Sequence, residues 1–230
     1  MSCILNIETS TPVCSVALSL DGKVVFSKMS MEGPSHAVLL GTFVADALDY
    51  IKSNSLKMDA VAVSSGPGSY TGLRIGVSMA KGLCFGYDIP LLAIPTLKIM
   101  AAKVVSLNRG VAGQLYCSML DARRMEVYAS VYDGELNECR KTTADIVTAE
   151  TYESFLNKGP VCFFGNGADK CKEVIVHANA TFLEAIYPLA EDMCPLAEAS
   201  FAAGEFKDVA YFEPFYLKDF VATVAKNKVF

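Results

Sequence analysis

The chain has 230 residues, a formal net charge of −5, 52% hydrophobic and 20% charged residues, a balance that excludes an intrinsically disordered chain and allows one large domain or two lobes with real cores. No apolar run approaches the roughly 20 residues a membrane span needs, and residues 1–8 lack the regions of a signal peptide, so a cytoplasmic protein without membrane contact is expected. The acidic total argues against a primary nucleic-acid platform, because neutralising phosphates takes clustered Lys and Arg.

In chain order, residues 3–7 and 14–20 read as strands. Asp21-Gly22 leads from the second into a third strand at 23–29 as a hairpin turn, since a type I′ turn needs the positive φ that Gly supplies cheaply. Residues 35–52 place Val38, Leu39, Phe43, Ala47, Leu48 and Ile51 at helical spacing. A strand at 59–65, a glycine-rich loop, a helix near 70–86, a strand at 90–94 and a helix over 96–107 follow. Three antiparallel strands and then alternating helix and strand is the order of a ribonuclease-H-like lobe.

The second half opens in the same way. A strand at 115–120 ends at Asp121 as the first ends at Glu8; a strand at 125–132 follows, and Asp133-Gly134 repeats the turn. Glu8 to Asp21 is 13 residues and Asp121 to Asp133 is 12. A helix at 148–157, a strand at 161–165, the loop Gly165-Asn166-Gly167 and a helix at 168–177 complete a degenerate duplication. The predicted lobes are 1–107 and 108–230, joined near Asn108-Arg109-Gly110, with an end helix at 194–206 that can return to the first lobe and a closing segment at 212–218.

The eight cysteines (Cys3, Cys14, Cys84, Cys117, Cys139, Cys162, Cys171 and Cys194) are scattered, without a C-x-x-C pair, and most sit in apolar runs. Free thiols are expected, not disulfides or zinc.

The stretch from Ser64 to Gly76 leaves an apolar strand and enters a helix. Gly66 and Gly68 permit positive φ, Ser69 can cap the helix, and N–H groups at such a start can hold an anion. A tight strand-to-helix connection is the other reading. The stretch is no Walker A loop, lacking a terminal Gly-Lys-Ser/Thr, and no G-x-G-x-x-G, since Gly72 comes one residue late. In the helix, Gly72, Gly76 and Ala80 recur every four residues before Gly82 and Gly86. Each interior Gly costs about 1 kcal/mol against Ala, recoverable if another backbone approaches closely, from the chain's own sheet or from a neighbouring subunit. With the helix at 35–52, this makes a candidate interface of His36, Leu39, Leu40, Phe43, Ala47, Gly72, Arg74, Gly76, Val77 and Ala80. Substitution at Leu39 or Gly76 is expected to abolish partner binding and spare stability.

The string Ile4-Leu5-Asn6-Ile7-Glu8-Thr9-Ser10 with Cys14-Ser15-Val16-Ala17-Leu18 resembles the opening of the TsaB family, and residues 66–76 are similar to its glycine-loop hallmark nearly residue for residue. Ile89-Pro90-Leu91, Asp121-Ala122-Arg123, Glu126-Val127-Tyr128 and Pro214-Phe215-Tyr216-Leu217 agree with its later segments. The resemblance implies two lobes of the actin, sugar-kinase and heat-shock-chaperone type, the second reduced. It also implies partnership with the catalytic paralogue TsaD and the ATPase TsaE, in attaching a threonylcarbamoyl group to the tRNA adenosine beside the anticodon.

The catalytic paralogue carries two metal-binding histidines four residues apart after the strand that corresponds to 89–94. Thr96 and Met100 stand at those positions here, and neither is an adequate ligand for a hard or borderline divalent metal. His36 and His177, the only histidines, are expected to be surface or capping residues, so no metal or other cofactor is expected. In actin-like folds each lobe offers a turn that grips phosphate. Glu8-Thr9-Ser10 supplies a carboxylate and hydroxyls, whereas Asp121-Ala122-Arg123-Arg124 has no glycine; Arg123 or Arg124 could meet an anion by its side chain or pair with Glu126, and Gly165-Asn166-Gly167-Ala168 is either another anion site or a plain helix start. The weak anion or nucleotide set is therefore Glu8, Thr9, Ser10, Gly66, Gly68, Ser69 and Arg123.

The leading expectation is a non-catalytic subunit that meets tRNA only through its complex and self-associates when alone. An actin-like ATPase or small-molecule kinase is the alternative. A metallopeptidase is a weaker one, lacking ligands and an H-E-x-x-H motif.

Overall fold

A computed structural model describes residues 1–32, 36–107 and 113–217. The proposed linker at Asn108-Arg109-Gly110, Ser35 at the predicted helix start and Lys218 lie outside the described residues.

The first sheet consists of β1 (Cys3–Glu8), β2 (Cys14–Leu20), β3 (Lys23–Ser30), β4 (Ala60–Ser64) and β5 (Leu91–Ile94), in the order β3-β2-β1-β4-β5. β1 pairs antiparallel with β2 and parallel with β4. Asp21 and Gly22 both take positive φ, 47° and 74°, as the two-residue hairpin requires. Helices α1 (His36–Ser53) and α2 (Tyr70–Tyr87) cover one face, where Leu5, Ile7, Val16 and Leu18 meet Leu40, Val44, Ala47, Val77 and Ala80. On the other face Ile4, Ala62, Leu92 and Ile94 meet α3 (Thr96–Leu107) and α5 (Ala190–Ala202) through Ile99, Met193 and Ala197.

The second sheet repeats the first: β6 (Leu115–Asp121), β7 (Glu126–Tyr132), β8 (Glu138–Ile146), β9 (Val161–Phe164) and β10 (Ala180–Leu183) lie in the order β10-β9-β6-β7-β8. Read from the opposite end, this is the same order with the same parallel and antiparallel pairings. α3 is common to both halves, since its Leu97, Met100, Ala101 and Val104 pack on Tyr116, Leu120, Tyr132 and Phe164. α5 contacts β1, β2, β3 and β5, and its Ala190 N–H donates to Ser15 Oγ at 2.9 Å. All eight cysteines are unpaired, and only Cys139 is exposed. Among the described residues, no helix is long and apolar enough to cross a membrane.

The reduction of the second half goes further than the sequence predicts. The expected helix at 148–157 is the single turn α4 (Glu153–Leu156), where only Tyr152 and Leu156 reach the core. The expected helix at 168–177 is a 3-10 turn (Asp169–Cys171) followed by irregular chain. Asp133-Gly134 is not a second type I′ turn: residues 133–137 connect β7 to β8, with positive φ at Leu136. There the Asp133 carboxylate accepts the N–H groups of Glu135 at 2.8 Å and Asn137 at 2.9 Å. The end helix begins at Ala190, not Cys194, and has Pro195 in its interior.

Candidate functional site

β1 ends at Glu8, whose side chain is fully enclosed. Its Oε1 accepts the Ser10 N–H at 2.5 Å. Burial pushes its pKa up to about 7, against the opposing pull of hydrogen bonds from Ser10, Ser64 and Thr9. The next two residues bind the glycine-rich segment: Thr9 Oγ1 donates to the Gly72 carbonyl at 2.8 Å, and the Ser69 N–H donates to the Ser10 carbonyl at 2.6 Å. A Cβ added at Gly68 would overlap Ser10; at Gly72 and Gly76 it would overlap the carbonyl and hydroxyl of Thr9. These glycines therefore serve the close approach of the chain's own α2 to the β1–β2 turn. Ser69 caps α2, its Oγ accepting the Gly72 N–H at 3.3 Å.

The second half repeats the arrangement. A Cβ at Gly165 would overlap the Met119 carbonyl, and one at Gly167 would press on Leu120. Asn166 Oδ1 accepts the Asp121 N–H at 3.0 Å. The β6–β7 turn differs from β1–β2 in charge. Arg123 and Arg124 both take left-handed φ, 68° and 50°, and are exposed. Lys170 pairs with Asp121 and donates to the carbonyls of Arg124 and Glu126 at 2.6 and 2.7 Å, so a lysine, not an arginine, supplies the cation against Asp121.

The two turns face each other across a cleft of about 850 Å³. Ser10, Pro12, Gly68, Ser69, Tyr70 and Thr71 form one wall; Asp121, Arg123, Arg124, Tyr128 and Asn166 form the other; residues 215–217 close one end. Of the anion set, Ser10, Gly68, Ser69 and Arg123 reach the cleft. Glu8, Thr9 and Gly66 do not line it: Glu8 and Thr9 are wholly buried, and Gly66 lies against the Phe215 carbonyl. Arg124 and Asn166, which the sequence offered beside Arg123 as other places for an anion, also line the cleft; Tyr128 and the Phe215-Tyr216 segment carried no sequence signal for it.

The candidate interface also divides. His36, Leu40, Ala47, Gly72, Gly76, Val77 and Ala80 are buried within the chain and cannot present side chains to a partner. His36 is no surface residue; its Nε2 lies 2.7 Å from the Thr11 carbonyl. The expectation that Gly76 could be replaced without loss of stability is overturned by its contact with Thr9. Arg74 is exposed, with its guanidinium over the Tyr70 ring, and Leu39 and Phe43 are half-buried. The outward face carries Ala37, Val38, Gly41, Thr42 and Ala45 of α1 beside Thr71, Arg74, Ser78, Gly82 and Phe85 of α2. An open groove of about 750 Å³ runs between the helices, lined by Ala37, Tyr70, Arg74, Ile75, Met79 and Leu83 among others. Among the described residues, no atom lies within 4 Å of a Cβ placed on Gly41 or Gly82.

Thr96 and Met100 are fully buried, Met100 against the second sheet and Thr96 with its N–H donating to the Gly66 carbonyl at 3.0 Å; among the described residues Thr96 Oγ1 has no polar partner. Among the described residues no three His, Cys, Asp or Glu side chains gather as a metal site.

Two five-stranded sheets of one order, each with a glycine-wrapped turn at the cleft, define an α/β protein of two ribonuclease-H-like halves, the architecture of the actin, sugar-kinase and heat-shock-chaperone class. The TsaD family model, tRNA N6-adenosine threonylcarbamoyltransferase, matches residues 31–226, and the tRNA threonylcarbamoyladenosine biosynthesis protein TsaB of Escherichia coli (strain K12) is 32% identical over 225 residues, 95% of this chain and 96% of that one. The chain belongs to the TsaB family. TsaB of Bacillus subtilis (strain 168) is 31% identical over 175 residues, 75% of this chain and 74% of its own length. The solved structure of YeaZ from Pseudomonas aeruginosa superimposes with a TM-score of 0.76 at 28% identity, over 94% of this chain and all of that one.

Proposed function

We propose that this chain is a non-catalytic cytoplasmic subunit of the assembly that makes threonylcarbamoyladenosine beside the anticodon of tRNA, and that the α1–α2 face docks a TsaD-like catalytic paralogue. A TsaE-like ATPase joins the assembly, and tRNA is met through the complex. In the absence of its partner, the same face pairs with a second copy of the chain.

The observation that carries this reading is the pair Gly41 and Gly82. Each lies inside a helix, where glycine costs about 1 kcal/mol, and among the described residues neither is needed by any contact. Small residues around them leave room for a partner's backbone, while Val38 and Phe85, 73% and 86% exposed, supply apolar surface beside them. The non-catalytic reading is supported by the sealed, ligand-poor position of Thr96 and Met100. The acidic net charge agrees with RNA contacts made elsewhere in the complex.

The test is co-purification of this chain with the TsaD-like paralogue, using Gly41→Leu and Gly82→Leu variants. Loss of the complex with an unchanged melting temperature supports the face; full retention by both variants removes it. Nucleoside analysis of tRNA from cells lacking this chain tests its requirement for the modification.

A further inference from the structure

We infer that Arg74 selects the partner at the α1–α2 face: its guanidinium takes a carboxylate from an otherwise apolar partner surface, which a second copy of this chain does not offer there. This deepens the docking reading and rests on it.

Charge singles out this residue. The groove between the helices is lined by Ala37, Ile75, Met79 and Leu83 among others, and among the described residues Arg74 is the one charged side chain in that lining. Arg74 is exposed, and no carboxylate among the described residues pairs with it. A partner that covers the groove strips water from this cation, and a desolvated charge without a counter-charge opposes binding strongly. A partner that fits this face therefore brings an acid to this point. In a symmetric pair of this chain, groove meets groove, and the lining supplies no acid in return. α2 carries no acid at all, and of the two on α1, Asp46 pairs with Lys28. The other, Asp49, lies 12 residues beyond Ala37, about 18 Å along the helix.

The side chain is also prepared for a two-pronged contact. Arg74 Nη1 donates to the Tyr70 hydroxyl at 2.8 Å, and the guanidinium lies over the Tyr70 ring, 5.2 Å from its centroid. Its other N–H groups have no acceptor among the described residues. A planar fork already held by an aromatic ring loses less freedom when a carboxylate binds the remaining donors. Tyr70 is buttressed in turn by Tyr216, with ring centroids 4.9 Å apart. The segment that carries Tyr216 is tied along α2. Lys81 Nζ donates to the carbonyls of Ala210 and Phe212, both at 3.0 Å, and the Phe215 N–H donates to the Ser65 carbonyl at 2.7 Å. Tyr216 is thus a positioning residue that acts on the face through Tyr70.

The experiment measures two equilibria: binding of the full chain to the TsaD-like paralogue by isothermal titration, and self-association by sedimentation equilibrium. Arg74→Gln removes the charge. It is expected to weaken the heterocomplex at least about tenfold and to leave self-association no weaker than in wild type, with the melting temperature unchanged. Between about 50 mM and 500 mM salt, the wild-type heterocomplex should lose more affinity than that of Arg74→Gln. Tyr216→Ala should weaken the heterocomplex several-fold, and Tyr216→Phe, which keeps the ring, should restore it; equal effects of these two variants remove the positioning role. No heterocomplex with the wild-type chain, an undiminished one with Arg74→Gln, equal weakening of both equilibria or equal salt dependence overturns the inference. The Gly41→Leu and Gly82→Leu variants separate the two readings. If they abolish the heterocomplex and Arg74→Gln does not touch it, the docking face stands without this selectivity. If all three leave it intact, the face falls and the inference falls with it.

Discussion

Thr9 donates its hydroxyl to the Gly72 carbonyl at 2.8 Å, and at that separation no side chain fits between the β1–β2 turn and α2. The bond explains why the glycine-rich stretch cannot be read as one feature. Gly68, Gly72 and Gly76 are consumed by the fold, while Gly82 and Gly41 are not.

Glycine substitutions should therefore separate by position. Gly76→Ala is expected to destabilise the chain by about 1–3 kcal/mol through overpacking. Gly82→Ala and Gly41→Ala should each stabilise it by about 1 kcal/mol. Urea denaturation of the three variants checks the signs, and equal effects at all three positions would remove the distinction.

Glu8 gives a pH signature. Burial raises its folded-state pKa from the ordinary 4.5 to about 7. With the folded pKa above the unfolded one, its contribution is most favourable below about pH 4.5 and is lost as pH rises to about 7. Glu8→Gln keeps an oxygen for the Ser10 N–H and removes the ionisation. The variant should melt several degrees above wild type at pH 8, and the gap should close by pH 5; a pH-independent gap would contradict this assignment.

In the second half, Asp145 accepts both guanidinium nitrogens of Arg140 at 2.6 Å, the Tyr152 hydroxyl at 2.6 Å and Thr143 at 2.9 Å. Burial alone would raise its pKa, but these partners outweigh it and hold the carboxyl below the usual range. Asp145→Ala strands Arg140 and Tyr152 and should cost about 3 kcal/mol. The loss should shrink as pH falls below the ordinary carboxylate pKa, because wild type then forfeits the same interaction. Thermal melts of both proteins at pH 7 and pH 3 measure it.

The helix α3 serves two cores, with Ile99 against the first sheet and Leu97 against the second. Leu97→Ala should cost about 2–5 kcal/mol while leaving one cooperative transition, since the helix couples both halves. Calorimetry resolving two separate transitions would show the halves to be independent.

The first sheet was legible because its signals are local and redundant: alternating apolar strands, the Asp21-Gly22 turn and helices with clear periodicity. The second half was less so. β8 is an edge strand with largely polar sequence and exposed faces, and β10 has four residues. Around Tyr152 and Cys171 the apolar positions fit a helical period but anchor single turns, because no long helix is needed to cover this smaller face. Pro195 fits a helix's first turn better than its interior, pulling a sequence reading toward a late start, whereas Glu191 and Asp192 favour the earlier one. In the site, helical spacing identified α1 and α2 but could not say which stripe faces the sheet. His36, Leu40 and Ala47 thus entered the interface although they belong to the interior. The cleft was half visible, since sequence separates Ser10 from Arg123 by more than a hundred residues and only the repeated topology brings them face to face.

The most direct test of the docking account is size-exclusion chromatography with light scattering of this chain mixed with its TsaD-like paralogue, with and without Gly41→Leu and Gly82→Leu combined. A heterocomplex with the wild-type chain that is abolished by the double variant, in a chain that still melts cooperatively, is the expected result. A heterocomplex of unchanged mass and affinity with the double variant would place the partner on some other surface.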